Sequence, residues 1–247
     1  MKNYLVIILF LIVNDCFAQS NYYRIYNDSI YDQKRFDSYL NKMIKTLPKG
    51  YIATPTIYHK QFKPDSIINF FTVVMTRGTT QSDNSKVEIV FNQDPVYLIL
   101  DKKLPEFILK DINDKEFSSS QLIGKPSLIN FWSIQCAPCI LEFPELDKLK
   151  DKYGDKVNFI SISENSKAEV LELFQEKPFH FHHLVNGYNY KKSLLKEGSI
   201  PRNIFLDRNG KVFEIKGGIP YENDKITGKS NLARYQFEYI LDKLLNQ

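Results

Sequence analysis

The sequence predicts an α/β fold: a mixed sheet with helices on both faces, preceded by a small α/β accessory region. Two observations lead there. From about residue 104 onward, apolar runs of strand length alternate with stretches of helical periodicity. Near the end, two such runs flank Arg208-Asn209-Gly210-Lys211, a tight-turn sequence that closes a hairpin. Parallel strands joined through helices, with a terminal hairpin, make a mixed sheet covered on both sides.

The most informative stretch is Ser127-Leu128-Ile129-Asn130-Phe131-Trp132, an apolar run that delivers Cys136-Ala137-Pro138-Cys139 at the start of a helical pattern. Two intervening residues let the sulfurs close a small disulfide ring, and strand, CxxC, helix is a redox layout. The first thiol sits where unpaired backbone N–H groups and the helix dipole favour a thiolate. Cys136 is the expected nucleophile and Cys139, one turn in, the expected resolving thiol. Half of a zinc site would read the same way, but zinc needs further Cys or His ligands at close spacing, and no second CxxC is present.

Composition supports a globular protein. Of the 247 residues 43% are hydrophobic and 25% charged, enough apolar side chain for a sizeable core. The formal net charge of +4 is spread without a Lys/Arg block, which argues against nucleic-acid binding. Residues 1–18 read as a signal peptide: Lys2, an apolar run over residues 4–13, and Cys16-Phe17-Ala18 before a cut ahead of Gln19. The run is too short to span a membrane. The expected location is therefore the periplasm or envelope. Lipid anchoring through Cys16 is the rival reading, against which Asn14-Asp15 makes a poor acylation signal. Processing leaves Cys136 and Cys139 alone, and an exported protein that used disulfides as staples would normally carry more.

Residues 19–102 form the accessory region and carry no obvious motif. Phe36, Leu40, Met43 and Leu47 predict an amphipathic helix over 32–46. A buried strand is expected over 67–76, a loop over 77–85, and further strands over 87–91 and 96–100. The second domain, 103–247, opens with a short hairpin around 107–117 and a helical turn at 118–122. After the central strand, a helix runs to about Tyr153 through Pro144, which removes one backbone donor. Strands are expected at 157–163, 182–185, 203–207 and 212–216, helices at 167–176, 190–196 and 232–245, and a polar insertion at 220–230.

Residues 104–245 resemble the thioredoxin superfamily and, within it, the exported TlpA/ResA-like thiol–disulfide oxidoreductases. The resemblance rests on Leu104-Pro105-Glu106-Phe107, Gly124-Lys125-Pro126, Phe131-Trp132 ahead of the CxxC, and Glu142-Phe143-Pro144 behind it. Gly198-Ser199-Ile200-Pro201 is similar to the family's cis-proline loop, which lies beside the CxxC. The resemblance implies that Ile200 and Pro201 bind an extended substrate segment as an added strand does, with Trp132, Gln135, Ala137 and Pro138 on the substrate-binding surface. Gln135 departs from the aromatic residue usual there. Thioredoxin has a buried Asp where this chain has Asn130, so Glu142 is the candidate proton acceptor for Cys139.

Ala137-Pro138 brings no cation to stabilise a thiolate, and Ile200 precedes the proline as in thioredoxin-like reductants. These features predict a reducing potential on the order of −200 to −270 mV. The expected activity is reduction of disulfide-containing protein substrates with electrons from a membrane donor, in cytochrome c maturation or general disulfide reduction. No cofactor or metal is expected beyond the redox-active pair. Two other readings stay open. A copper chaperone would draw on Phe179-His180-Phe181-His182-His183. A thiol peroxidase would want proline four residues before Ser133, where Ile129 stands.

Overall fold

The computed structural model describes residues 19–25, 29–47, 49–77, 88–196, 198–223 and 230–247, excepting the side chains of 221–223, 230 and 231. The signal segment over 1–18, residues 78–87 of the expected loop and strand, and residues 224–229 of the polar insertion lie outside them. Among the described residues no helix is long and apolar enough to cross a membrane. The chain divides into two compact units, Met1–Asn92 and Gln93–Gln247.

In the first unit β1 (Ser20–Arg24), β2 (Ile30–Tyr31), α1 (Gln33–Lys45), β3 (Tyr51–Phe62), β4 (Ser66–Arg77) and β5 (Val90–Phe91) follow in order. The strands form one sheet in the order β2-β1-β4-β3-β5. The Asp32 side chain starts α1 by accepting a hydrogen bond from the Arg35 N–H at 2.8 Å. Phe36 and Leu40 of α1 pack with Tyr23, Ile57 and Phe71 of the sheet. Phe36 stacks on Tyr23 at 3.8 Å and meets Phe71 edge-on at 4.7 Å. Strand β3 pairs with β4 along its length, with Pro55 opposite Val73.

The second unit opens with a 3₁₀ turn, Pro95–Ile99, where the sequence suggested a strand over 96–100. The Asp94 side chain accepts from the Val96 N–H at 3.1 Å, and Pro95 presets the first turn. Then come β6 (Ile108–Asp111), β7 (Glu116–Ser118), β8 (Ser127–Trp132), α2 (Ala137–Tyr153), β9 (Asn158–Ser163), α3 (Lys167–Glu176), β10 (His182–Val185), α4 (Tyr188–Leu195), β11 (Arg202–Leu206) and β12 (Val212–Lys216). The chain closes with β13 (Tyr221–Asn223), β14 (Ser230–Leu232) and α5 (Tyr235–Leu245). The expected polar insertion thus contains a strand, and its partner β14 delays the last helix to Tyr235, three residues later than the periodicity suggested.

The main sheet has the order β12-β11-β8-β9-β10-β6-β7. It is mixed: β8, β9 and β10 run parallel and the remaining pairs antiparallel. All six residues of central β8 are buried, and alternation sends them to two faces. Leu128 and Trp132 join the core beneath α2, α3 and α5. Phe131, on the other face, meets Tyr190 of α4 at 6.1 Å. Helix α2 continues through Pro144 and ends at Gly154, whose φ of 52° suits a residue without a side chain.

Candidate functional site

The site forms where β8 ends and α2 begins. Ser133 leads off the strand, and its carbonyl accepts from the Cys136 N–H at 3.1 Å. Asn165 holds the next residue, its Oδ1 accepting from the Ile134 N–H at 3.0 Å. Cys136 is the N-cap residue of α2. Its carbonyl accepts from the N–H groups of Cys139 and Ile140, at 3.0 and 3.2 Å. Pro138 lies in the first turn, where a missing N–H costs nothing.

Cys136 and Cys139 are joined by a disulfide, with Cα atoms 5.3 Å apart. The two sulfurs are not equivalent. Cys136 keeps 9% of its surface exposed and Cys139 none. Gln135, Ala137 and Pro138 surround the pair and are exposed. Trp132 is a correction to the expected substrate-binding set. It is fully buried, edge-on to Phe143 at 5.0 Å and stacked on Phe174 at 5.8 Å. Its position on β8 points it into the core beneath α2.

The Ile200–Pro201 peptide is cis. Pro201 leads into β11, whose Arg202 is the register partner of Phe131 on β8. The loop therefore stands at the end of the sheet from which the cysteines emerge. Ile200 packs against the core cluster that contains both cysteines. Gly218 permits the last close approach: a Cβ there would lie 2.9 Å from Pro201 Cγ and 3.0 Å from Glu142 Oε2.

Glu142 lies one turn beyond Cys139 and is 1% exposed. Its Oε1 accepts from Asn130 Nδ2 at 2.9 Å and, at 3.5 Å, from Asn203 Nδ2, while Oε2 accepts from the Ile219 N–H at 2.8 Å. Burial disfavours the carboxylate and these hydrogen bonds favour it; burial prevails and raises the pKa to about 7. A buried acid titrating near neutrality can exchange protons with thiols at working pH. Sequence reasoning singled out Glu142 and Asn130 but missed Asn203, Gly218 and Ile219. Asn203 left one signal, an uncharged polar residue directly ahead of the apolar run Ile204-Phe205-Leu206.

The three neighbouring histidines do not converge. His180 Nδ1 pairs with Asp147 Oδ2 at 2.7 Å, and His182 Nε2 lies 3.7 Å from Asp111 Oδ2. His183 is held between Ser161 Oγ at 2.6 Å and the Phe179 carbonyl at 2.8 Å. Among the described residues no group of three or more His, Cys, Asp or Glu is placed to hold a metal ion.

Comparison with known proteins places these residues in context. The AhpC/TSA family model matches residues 100–215. The thioredoxin-like protein YneN of Bacillus subtilis is 32% identical over 124 residues, 47% of this chain and 71% of that protein. The thiol–disulfide oxidoreductase ResA of Bacillus cereus is 26% identical over 126 residues, 50% of this chain and 73% of that one. Among solved structures, a protein assigned as thiol:disulfide interchange protein DsbE from Chlorobium tepidum superposes with a TM-score of 0.50 at 19% identity. That alignment covers 58% of this chain and 95% of the other, and supports the fold.

Proposed function

Because this chain belongs to the thioredoxin-like AhpC/TSA family, we propose that it is an exported thiol–disulfide oxidoreductase that reduces protein disulfides through Cys136 and Cys139. The observation that carries this reading is the bonded pair at the head of α2, one sulfur at the surface and one buried. Helix-start N–H groups favour the thiolate of Cys136 once the pair is reduced.

The substrate-reducing half of the cycle needs no group beyond the reduced chain and its disulfide substrate. The Cys136 thiolate attacks one substrate sulfur, forms a mixed disulfide and expels the other substrate sulfur as a thiolate. Cys139 then gives its proton to Glu142 and attacks Cys136 Sγ. The mixed disulfide breaks, the substrate leaves with both sulfurs reduced, and the Cys136–Cys139 bond is restored. Two electrons have moved from protein to substrate. Ile200 and Pro201 present backbone to an extended substrate segment, and Gln135, Ala137 and Pro138 form the surface around the attacking sulfur. Regeneration requires a dithiol donor, which an envelope location places at the membrane. Similarity to proteins named ResA and the apolar N-terminal run support that location. Cytochrome c maturation and general disulfide reduction are the processes such a reductant would serve.

The test is reduction of a protein disulfide, such as that of insulin, by the reduced protein and its single-cysteine variants. We expect one substrate disulfide reduced per native pair, none with Cys136→Ala, and covalent capture of substrate by Cys139→Ser. An active Cys136→Ala variant would refute the assignment.

A further inference from the structure

Five side chains stand level across the main sheet: Lys216 on β12, Asn203 on β11, Asn130 on β8, Ser161 on β9 and His183 on β10, each the register partner of the next. Register partners share a face of the sheet, and Glu142 meets this row from α2. Hydrogen-bond chemistry gives the row near Glu142 a definite direction. The Gly217 carbonyl can only accept, so Asn203 turns Nδ2 toward it, at 2.7 Å. That leaves Asn203 Oδ1 for Asn130, which answers with Nδ2 at 2.9 Å. The same Nδ2 donates to Glu142 Oε1, and Asn130 Oδ1 is left buried without a partner. Turning the Asn130 amide over would relieve that oxygen only by setting it against Asn203 Oδ1, a second acceptor. The Asn130 donor that faces Glu142 is therefore dictated from Gly217, through Asn203.

We propose that Asn203, anchored on the Gly217 carbonyl, is a positioning residue for proton transfer: it holds the N–H side of Asn130 against Glu142 and so favours the carboxylate that takes the Cys139 proton. The inference deepens the reading of Glu142 as proton acceptor and rests on it. Both amides and the Ile219 N–H face the carboxyl as donors, so a protonated Glu142 finds no acceptor among these partners. Without Asn203, the Asn130 amide is free to turn and offer Oδ1 to the carboxylic acid. Of the titratable and charged groups on the elements packed here, Cys139 and Glu145 lie on α2, Lys216 and His183 in the row on β12 and β10, and Arg234 ahead of α5, while Arg202 on β11 pairs with Asp94. Glu145 is engaged by Arg234 and Lys148, and β8 and β11 present only the two amides to the carboxyl.

The experiment follows the Glu142 carboxyl by ¹³C NMR as pH is varied, in the oxidised protein, where neither cysteine titrates and Lys216 is common to every form compared. In Asn203→Ala we expect the midpoint to rise by roughly one pH unit, a tenfold change in the protonation ratio. A merely structural role would lower stability and leave the midpoint in place. In the wild-type protein the side-chain amide protons of Asn130 and Asn203 should move with the same midpoint. An unmoved midpoint in Asn203→Ala overturns the proposal. If that variant does not fold, wild-type amide signals that ignore the Glu142 titration overturn it. The acceptor reading is tested separately by the pH profile of disulfide reduction in Glu142→Gln. A profile unchanged from wild type defeats that reading whatever Asn203 does.

Discussion

Cys136 and Cys139 share one disulfide yet differ in access, 9% exposed against fully buried. The proposed order of reaction, Cys136 first, uses this difference. After reduction, a bulky alkylating reagent should label Cys136 at least tenfold faster than Cys139, because only accessible thiolate reacts. Mass spectrometry of briefly labelled protein checks this. Equal labelling would contradict the proposed order.

Glu142 makes stability depend on pH in a direction opposite to that of most carboxylates. Its folded pKa of about 7 lies above the ordinary 4.5, so the folded state holds the proton more tightly than the unfolded one. The contribution is fully present below pH 4.5 and is lost as pH rises through about 7. The full effect is on the order of 3 kcal/mol. Denaturant unfolding between pH 5 and 8 should show this loss in the wild-type protein and a flatter profile in Glu142→Gln.

His183 acts on the acid side. Burial pushes its pKa from 6.5 to about 4, so the folded state keeps the ring neutral between Ser161 and Phe179. Here the contribution is present above pH 6.5 and fades as pH falls through about 4. His183→Gln should lose less stability than wild type between those values, measured by thermal unfolding at matched ionic strength.

Trp132 and Gln135 separate stability from recognition. Trp132→Ala removes a fully buried ring and should cost about 3–5 kcal/mol of unfolding free energy. Gln135→Ala, at an exposed position beside Cys136, should change stability by less than about 0.5 kcal/mol. We expect it to act on the KM for a protein disulfide. Calorimetry and steady-state kinetics read the two effects.

Local chemistry made much of the second unit legible. A six-residue apolar run, a CxxC at a helix start and a turn containing Asn-Gly are signals contained within a few neighbouring residues, and β8, α2 and the terminal hairpin lie where they point. What escaped depended on distant partners. Asn203 gains its place from Gly217 and Asn130, and Trp132 is turned inward by Phe143 and Phe174. The stretch after Asp94 reads as β-branched and apolar, yet one side-chain cap and a proline make it a 3₁₀ turn. In the first unit the long hairpin strand β3, for which the sequence offered no expectation, is revealed by its pairing with β4.

The central claim is that the Cys136–Cys139 pair is a working reductant, and its reduction potential tests this most directly. Equilibrating the protein in glutathione or dithiothreitol buffers and quantifying the open and bridged forms gives the value. We expect a single two-electron transition on the order of −200 to −270 mV. A transition near −120 mV, the range of strong oxidants on this fold, would contradict the account.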